Sequence, residues 1–219
     1  MNQFIPRLEE PLIKVCGIKT VKDALAAVEY GANALGFNFY PPSPRYLEND
    51  EAEMIISRLP EGILSFAVVV HGHDLDQVQE TGDAGSVTAS PVKSFYGVPD
   101  AVEIIQIHGL KDSREIPESD SPLLIAVSPE TASLFEDFDI IVDTSWGEGR
   151  LADWDKTAGI DRPYILSGGL NPRNVREALE TLSPAGIDVC SGVEASPGEK
   201  DHRKLKDFLE TARDFYSGK

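Results

Sequence analysis

Cys16 closes a short apolar run, residues 12–15, and is followed at once by Gly17 and by a helix-start signal at Thr20. A side chain so placed sits at the carboxyl end of a strand, where an α/β enzyme presents its reacting groups. A thiol there can act as a base or as a nucleophile, because positive surroundings lower its pKa from about 8.5. Taken singly, it reads equally as a small buried hydrophobe. Asp143 stands directly after Ile140-Ile141-Val142. Burial at a strand end favours a protonated carboxyl and suits it to donate a proton; the same residue type in the same place also caps helices. Arg45 follows three prolines in Tyr40-Pro41-Pro42-Ser43-Pro44. Its planar fork can pair with a carboxylate through two hydrogen bonds, or it can be a solvated surface arginine. His108, at the end of another apolar run, is a candidate ligand contact or a hydrogen-bonded rim histidine.

Two glycine turns complete the set. Ser167-Gly168-Gly169 and Ser191-Gly192 each follow a short apolar run. If those runs are the last two strands of a barrel, the turns lie where barrels hold phosphate on backbone N–H groups. Asn38, His71 and Ser128 also fall at strand ends. No His, Cys, Asp and Glu cluster has metal-ligand spacing, so no metal is expected.

These residues need a frame that brings strand ends together. Strand signals occur at residues 12–15, 34–39, 64–70, 104–108, 123–127, 140–142, 164–166 and 187–189. Helix signals lie between several of them. Val21, Ala24, Leu25 and Val28 recur at helical spacing, as do Ala52, Ile55, Ile56 and Leu59 after a cap at Asn49 or Asp50. Val175, Ala178, Leu179 and Leu182 follow Asn171-Pro172, and Leu205, Phe208, Leu209 and Ala212 mark the last helix. A short helix is expected over 74–80, a loop over 81–99, no helix over 111–121, a short helix over 130–135, and at most a turn or two of helix over 146–161. Strands alternating with helices imply a parallel sheet. Eight units in 219 residues fit a (β/α)₈ TIM barrel, here expected as one domain spanning 1–219 with some helices replaced by loops. The alternative, an open doubly wound sheet, calls for GxGxxG after the first strand, and Cys16-Gly17-Ile18-Lys19-Thr20 is not that.

Composition narrows the partners. Asp and Glu number 37 against 20 Lys and Arg, a net charge of −17. That field repels nucleic acid, and no basic cluster offsets it. No apolar run reaches membrane-spanning length, the N-terminus lacks a basic segment followed by an apolar one, and two cysteines make no disulfide framework. A cytoplasmic protein is expected.

Lys14-Val15-Cys16-Gly17-Ile18, Gly31-Ala32-Asn33-Ala34-Leu35-Gly36-Phe37, Ser43-Pro44-Arg45, Gln106-Ile107-His108-Gly109, Asp143-Thr144, the run from Ser167 to Val175, and Asp188-Val189-Cys190-Ser191-Gly192-Val193-Glu194 with Gly198-Glu199-Lys200-Asp201 together resemble the phosphoribosylanthranilate isomerase family. The resemblance implies an Amadori rearrangement in tryptophan biosynthesis by acid–base chemistry, with no cofactor and a phosphosugar–anthranilate substrate. It implies Asp143 as general acid, Cys16 as general base and Arg45 on the anthranilate carboxylate. Backbone groups of Gly168, Gly169, Ser191 and Gly192 would hold the phosphate, with His108 among the substrate contacts. Members of the family are monomers or homodimers. Two places depart from its pattern: Trp146-Gly147-Glu148-Gly149 replaces a Gly-Gly-Thr-Gly loop, and Cys190 stands where a smaller residue is usual. The departures leave room for two other readings, a phosphosugar barrel with a changed substrate and a silent phosphate-ligand binder; the retained acid, base and arginine argue against the latter.

Overall fold

A computed structural model describes residues 3–72, 91–144 and 154–218. Eight parallel strands close into a barrel in sequence order: β1 (Leu12–Cys16), β2 (Ala34–Asn38), β3 (Leu64–Val70), β4 (Ile104–His108), β5 (Leu123–Val127), β6 (Asp139–Asp143), β7 (Ile165–Ser167) and β8 (Gly186–Val189). The seam is made by β1 against β8, where Val15 pairs with Val189. Around it lie α1 (Val21–Tyr30), α2 (Asn49–Ile56), α3 (Pro91–Tyr96), α4 (Trp154–Thr157), α5 (Val175–Leu182) and α6 (His202–Ser217), with single 3₁₀ turns after β4 and β5. A small hairpin, β9 (Glu194–Ser196) with β10 (Glu199–Lys200), is inserted between β8 and α6. None of the helices described is long and apolar enough to cross a membrane.

Local chemistry accounts for the helix ends. Thr20 accepts the Asp23 N–H at 3.0 Å and caps α1. Asp201 accepts from Arg203 and Lys204 at the start of α6. For α2 the cap lies one residue before the expected Asn49: Glu51 reaches back to the Glu48 N–H at 3.1 Å. Asn171 opens a turn that precedes α5, which begins at Val175.

Two sequence expectations change here. The span 81–99 is not all loop: Pro91 begins α3, a start proline favours, and Val92 and Tyr96, four apart, are buried against the barrel. On α1 the buried stripe is Ala24 and Ala27 with Val28 behind them, while Leu25 is 42% exposed. Small side chains let the helix pack close to its neighbours. The helix expected over 74–80 lies outside the described residues.

Alternation along the strands divides the core into two. Ile13, Val15, Leu35, Ile105 and Ile107 face the helices in one large cluster. Leu12, Ala34, Phe66, Ile104, Leu124, Ile141 and Ile165 fill the lower barrel, with Ile5 plugging its base. The carboxylate of Asp139 receives the N–H groups of Phe4 and Ile5 and ties that plug down. The next inward positions include Val68 and Ala126, but half are polar. Lys14, Gln106, Ser167 and Asp188 are buried. Lys14 Nζ lies 2.8 Å from Asp188 and 5.4 Å from the centre of the Phe66 ring. Asp188 also accepts from Ser167 Oγ at 2.9 Å. One step higher come Cys16, Asn38, His108, Asp143 and Cys190. The barrel thus grades from hydrocarbon at its base to titratable groups at its mouth.

Candidate active site

The mouth encloses a cavity of about 540 Å³ at the carboxyl ends of the strands. Cys16, Arg45, His108, Asp143, Gly168, Gly169 and Ser191 all line it, so the structure gathers seven of the eight residues to which the family resemblance gives a role. Asn38 lines it as well. His71 and Ser128 do not: His71 bonds to the Tyr96 hydroxyl at 3.1 Å and Ser128 to Thr131. Gly192, the eighth, is not a lining residue either. A Cβ there would stand 1.9 Å from the Leu170 carbonyl oxygen. Its glycine is required because the turns after β7 and β8 pass backbone to backbone.

Cys16 is buried and unoxidised beside Cys190, which is also free. The two occupy the rung beyond the Val15–Val189 pair of neighbouring strands, which is why they meet. The Cys190 thiol, whose Sγ lies 3.9 Å from Glu194 Oε1, favours the Cys16 thiolate when it turns its proton to that sulfur. Burial opposes this, and the positive charges of Lys14 and Lys200 assist it. The balance brings Cys16 down to about 7. The same hydrogen bond, with burial, pushes Cys190 well above the usual thiol range. One thiol is therefore poised to ionise and its neighbour to remain protonated.

Beneath them, burial alone would discharge Lys14, but the charge and hydrogen bond of Asp188 together with the charges of the two cysteines outweigh it and hold the ammonium above its ordinary range. Burial lowers His108, which keeps the imidazole neutral, and its Nε2 lies 2.7 Å from the Gln106 amide. Gln106 Oε1 is buried and has no hydrogen-bond partner among the described residues.

Arg45 is gripped from behind. Its Nε and Nη2 donate to the two oxygens of Glu194 at 2.9 and 2.7 Å. Burial raises Glu194, but that fork and the charge of Lys200 bring it below the usual carboxylate range. Neither Glu194 nor Lys200 was given a role in the sequence reading. They stand in a run, Val193-Glu194 to Lys200-Asp201, whose side chains meet only through the β9–β10 hairpin. Lys14, Gln106 and Asp188 were missed as well. The signal for them was present: each lies two residues before a strand-end candidate, hence on the same inward face.

Comparison with known proteins bears on this site. A family model described as N-(5'-phosphoribosyl)anthranilate (PRA) isomerase matches residues 98–211. N-(5'-phosphoribosyl)anthranilate isomerase of Thermotoga petrophila is 32% identical over 218 residues, spanning 92% of this chain and 98% of its own. That of Geotalea uraniireducens is 37% identical over 215 residues, again 92% and 98%. The chain belongs to the N-(5'-phosphoribosyl)anthranilate isomerase family.

Solved structures of the family carry the same barrel. The phosphoribosyl anthranilate isomerase of Thermotoga maritima is similar at a TM-score of 0.74 with 33% identity, covering 93% of this chain and 99% of that one. A family member in complex with reduced 1-(o-carboxyphenylamino)-1-deoxyribulose 5-phosphate is similar at 0.71, with the same identity and coverage. Monomers generated from the dimeric Thermotoga maritima enzyme are similar at 0.70. The loop in which this chain departs from the family pattern, Trp146-Gly147-Glu148-Gly149, lies outside the described residues.

Proposed function

We propose that this protein is an N-(5'-phosphoribosyl)anthranilate isomerase, converting its substrate to 1-(2-carboxyphenylamino)-1-deoxyribulose 5-phosphate. The observation that carries the reading is the placing of a thiol brought down to about 7 and a strand-end carboxyl on one cavity. Isomerisation of an aminoaldose needs one acid and one base and no redox partner. Asp143 donates a proton to the furanose ring oxygen, the C1′–O bond breaks, and the nitrogen lone pair forms the Schiff base. The Cys16 thiolate then takes the proton from C2′, and the electrons of that C–H bond close an enolamine. Loss of the 2′-hydroxyl proton and protonation at C1′ give the ketone. A neutral His108 can hydrogen-bond a sugar hydroxyl without competing as an acid.

The cavity also sorts the ends of the substrate. Gly168, Gly169 and Ser191 offer backbone N–H groups to the phosphate, with Gly192 holding their turn in shape. Arg45 faces the anthranilate carboxylate. Glu194 occupies its Nε edge, which leaves the end-on edge for the ligand. Such a protein works in the cytoplasm as a monomer or homodimer, with a small molecule as its partner and no nucleic acid.

The test follows anthranilate fluorescence as phosphoribosylanthranilate is consumed. Signal that persists with fresh, reduced protein rejects the proposal. Replacing Arg45 by alanine removes a charge-assisted pair, so KM should rise about 10- to 100-fold with a smaller change in kcat; a change in kcat alone would deny the carboxylate contact. The pH profile supplies another check. The base acts as the thiolate and the acid as the protonated carboxyl, so kcat/KM should be bell-shaped in pH, with one of its two bends near the Cys16 value of about 7. A profile flat from pH 5 to 9 would remove Cys16 from the proton transfer.

A further inference from the structure

Lys200 has no part in the chemistry above, yet its side chain is fully buried beside the site. Burying an ammonium costs several kcal/mol, and an apolar residue of the same volume often stabilises as well or better. Its surroundings give a reason for keeping the charge. Lys200 Nζ donates to the Cys16 carbonyl oxygen at 2.7 Å, to the Cys190 carbonyl oxygen at 3.3 Å and to Glu194 Oε1 at 3.0 Å. An ammonium has three donors, and all three are used. Glu194 in turn holds Arg45 through both oxygens. One cation therefore joins the chain leaving β1, the chain leaving β8 and the loop after β2.

The hairpin delivers it there. Lys200 and Glu194 face each other across β9 and β10. The Asp201 N–H to Val193 oxygen bond, 2.9 Å, and the Lys204 Nζ to Glu194 oxygen bond, 2.8 Å, pin the hairpin to α6. The barrel closes between β1 and β8 without this insertion. Gly17 adds a further sign of tight placement: a Cβ at that position would stand 2.6 Å from Arg45 Cδ. The arginine thus lies directly on the turn that follows Cys16.

We propose that Lys200 is a positioning residue, whose ammonium clasps the Cys16 and Cys190 backbones and the carboxylate that grips Arg45, and so sets base and carboxylate clamp in one fixed relation. The proposal rests on the roles given to Cys16 and Arg45 above. It predicts that the two are coupled: loosening the clasp degrades proton abstraction and substrate binding together. The positive charge next to Cys16 also favours its thiolate.

Lys200→Met in the full chain tests this. Two measurements are made beside a thermal melt that checks folding: kcat and KM with phosphoribosylanthranilate, and the pH midpoint of iodoacetamide alkylation at Cys16, located by mass spectrometry. The clasp predicts kcat/KM lowered about 10²-fold, with both constants worse. It also predicts an alkylation midpoint raised on the order of one pH unit. Wild-type kcat, KM and midpoint in the folded variant would overturn it. The alkylation arm needs no substrate, so an inactive wild type would sink the proposed activity while leaving the Lys200–Cys16 link readable. If Lys200→Met does not fold, Glu194→Gln decides. It weakens the link between Lys200 and Arg45, and KM should rise about 10-fold; a KM equal to that of the wild type would overturn the clasp.

Discussion

Cys16→Ser lowers kcat by about 10³-fold and leaves KM nearly unchanged, because it removes a proton transfer made only on the way to the transition state. Serine keeps the size and position of the side chain. What it loses is acidity: the environment that brings a thiol to about 7 cannot bring a hydroxyl near neutrality. The hydrogen bond from Cys190 and the charges of Lys14 and Lys200 then stabilise an anion that does not form. Steady-state kinetics with the fluorescent assay reads the effect. A variant as fast as wild type would show that another group takes the C2′ proton.

Asp143→Asn is the second large effect, with kcat lower by about 10²- to 10⁴-fold. Asparagine fills the same place at the end of β6 but has no acidic proton to give. The ring oxygen must then leave as an alkoxide or take its proton from water. The variant should still bind the product analogue that family members bind, since the phosphate turns and Arg45 are untouched. Calorimetric titration separates the two outcomes. Lost binding together with lost rate would mean that Asp143 shapes the cavity instead of donating to the substrate.

The two variants fail at different stages, which gives a further distinction. With Asp143→Asn the ring stays closed. With Cys16→Ser the ring opens and the Schiff base forms, but C2′ keeps its hydrogen. A substrate deuterated at C2′ should show a larger isotope effect on kcat in Cys16→Ser than in Asp143→Asn.

Much of this fold was legible because strands buried on both faces read as unbroken apolar runs. The limits of β3, β4 and β5 coincide with those read from sequence. Helices were harder where they are short. In the six-residue α3 the buried Val92 and Tyr96 are a single turn apart, too short a stretch to show a period, and its flanks are rich in Gly, Ser and Pro. On α1 the leucine misled, because size drew it into the stripe while the buried positions are held by alanines. Cys16 and Asp143 were legible because each ends a strand. Glu194 and Lys200 were not, because their meeting depends on a hairpin register and on Arg45 approaching from 149 positions away. Nothing local in the sequence records either.

The grading of the barrel interior bears on how the chain can be altered. Positions at the base, such as Leu12, Leu124 and Ile165, belong to the apolar cluster of the lower barrel. Changes there belong to calorimetry and should leave kinetic constants alone. Positions at the mouth belong to kinetics and carry little of the melting enthalpy. The tier between them, Lys14 with Asp188 and Ser167, is answerable to both, since its cation is enclosed by the core and also leans on the thiol above. An engineer seeking a hardier or a retargeted catalyst has two nearly independent workbenches, separated by a floor one ion pair thick.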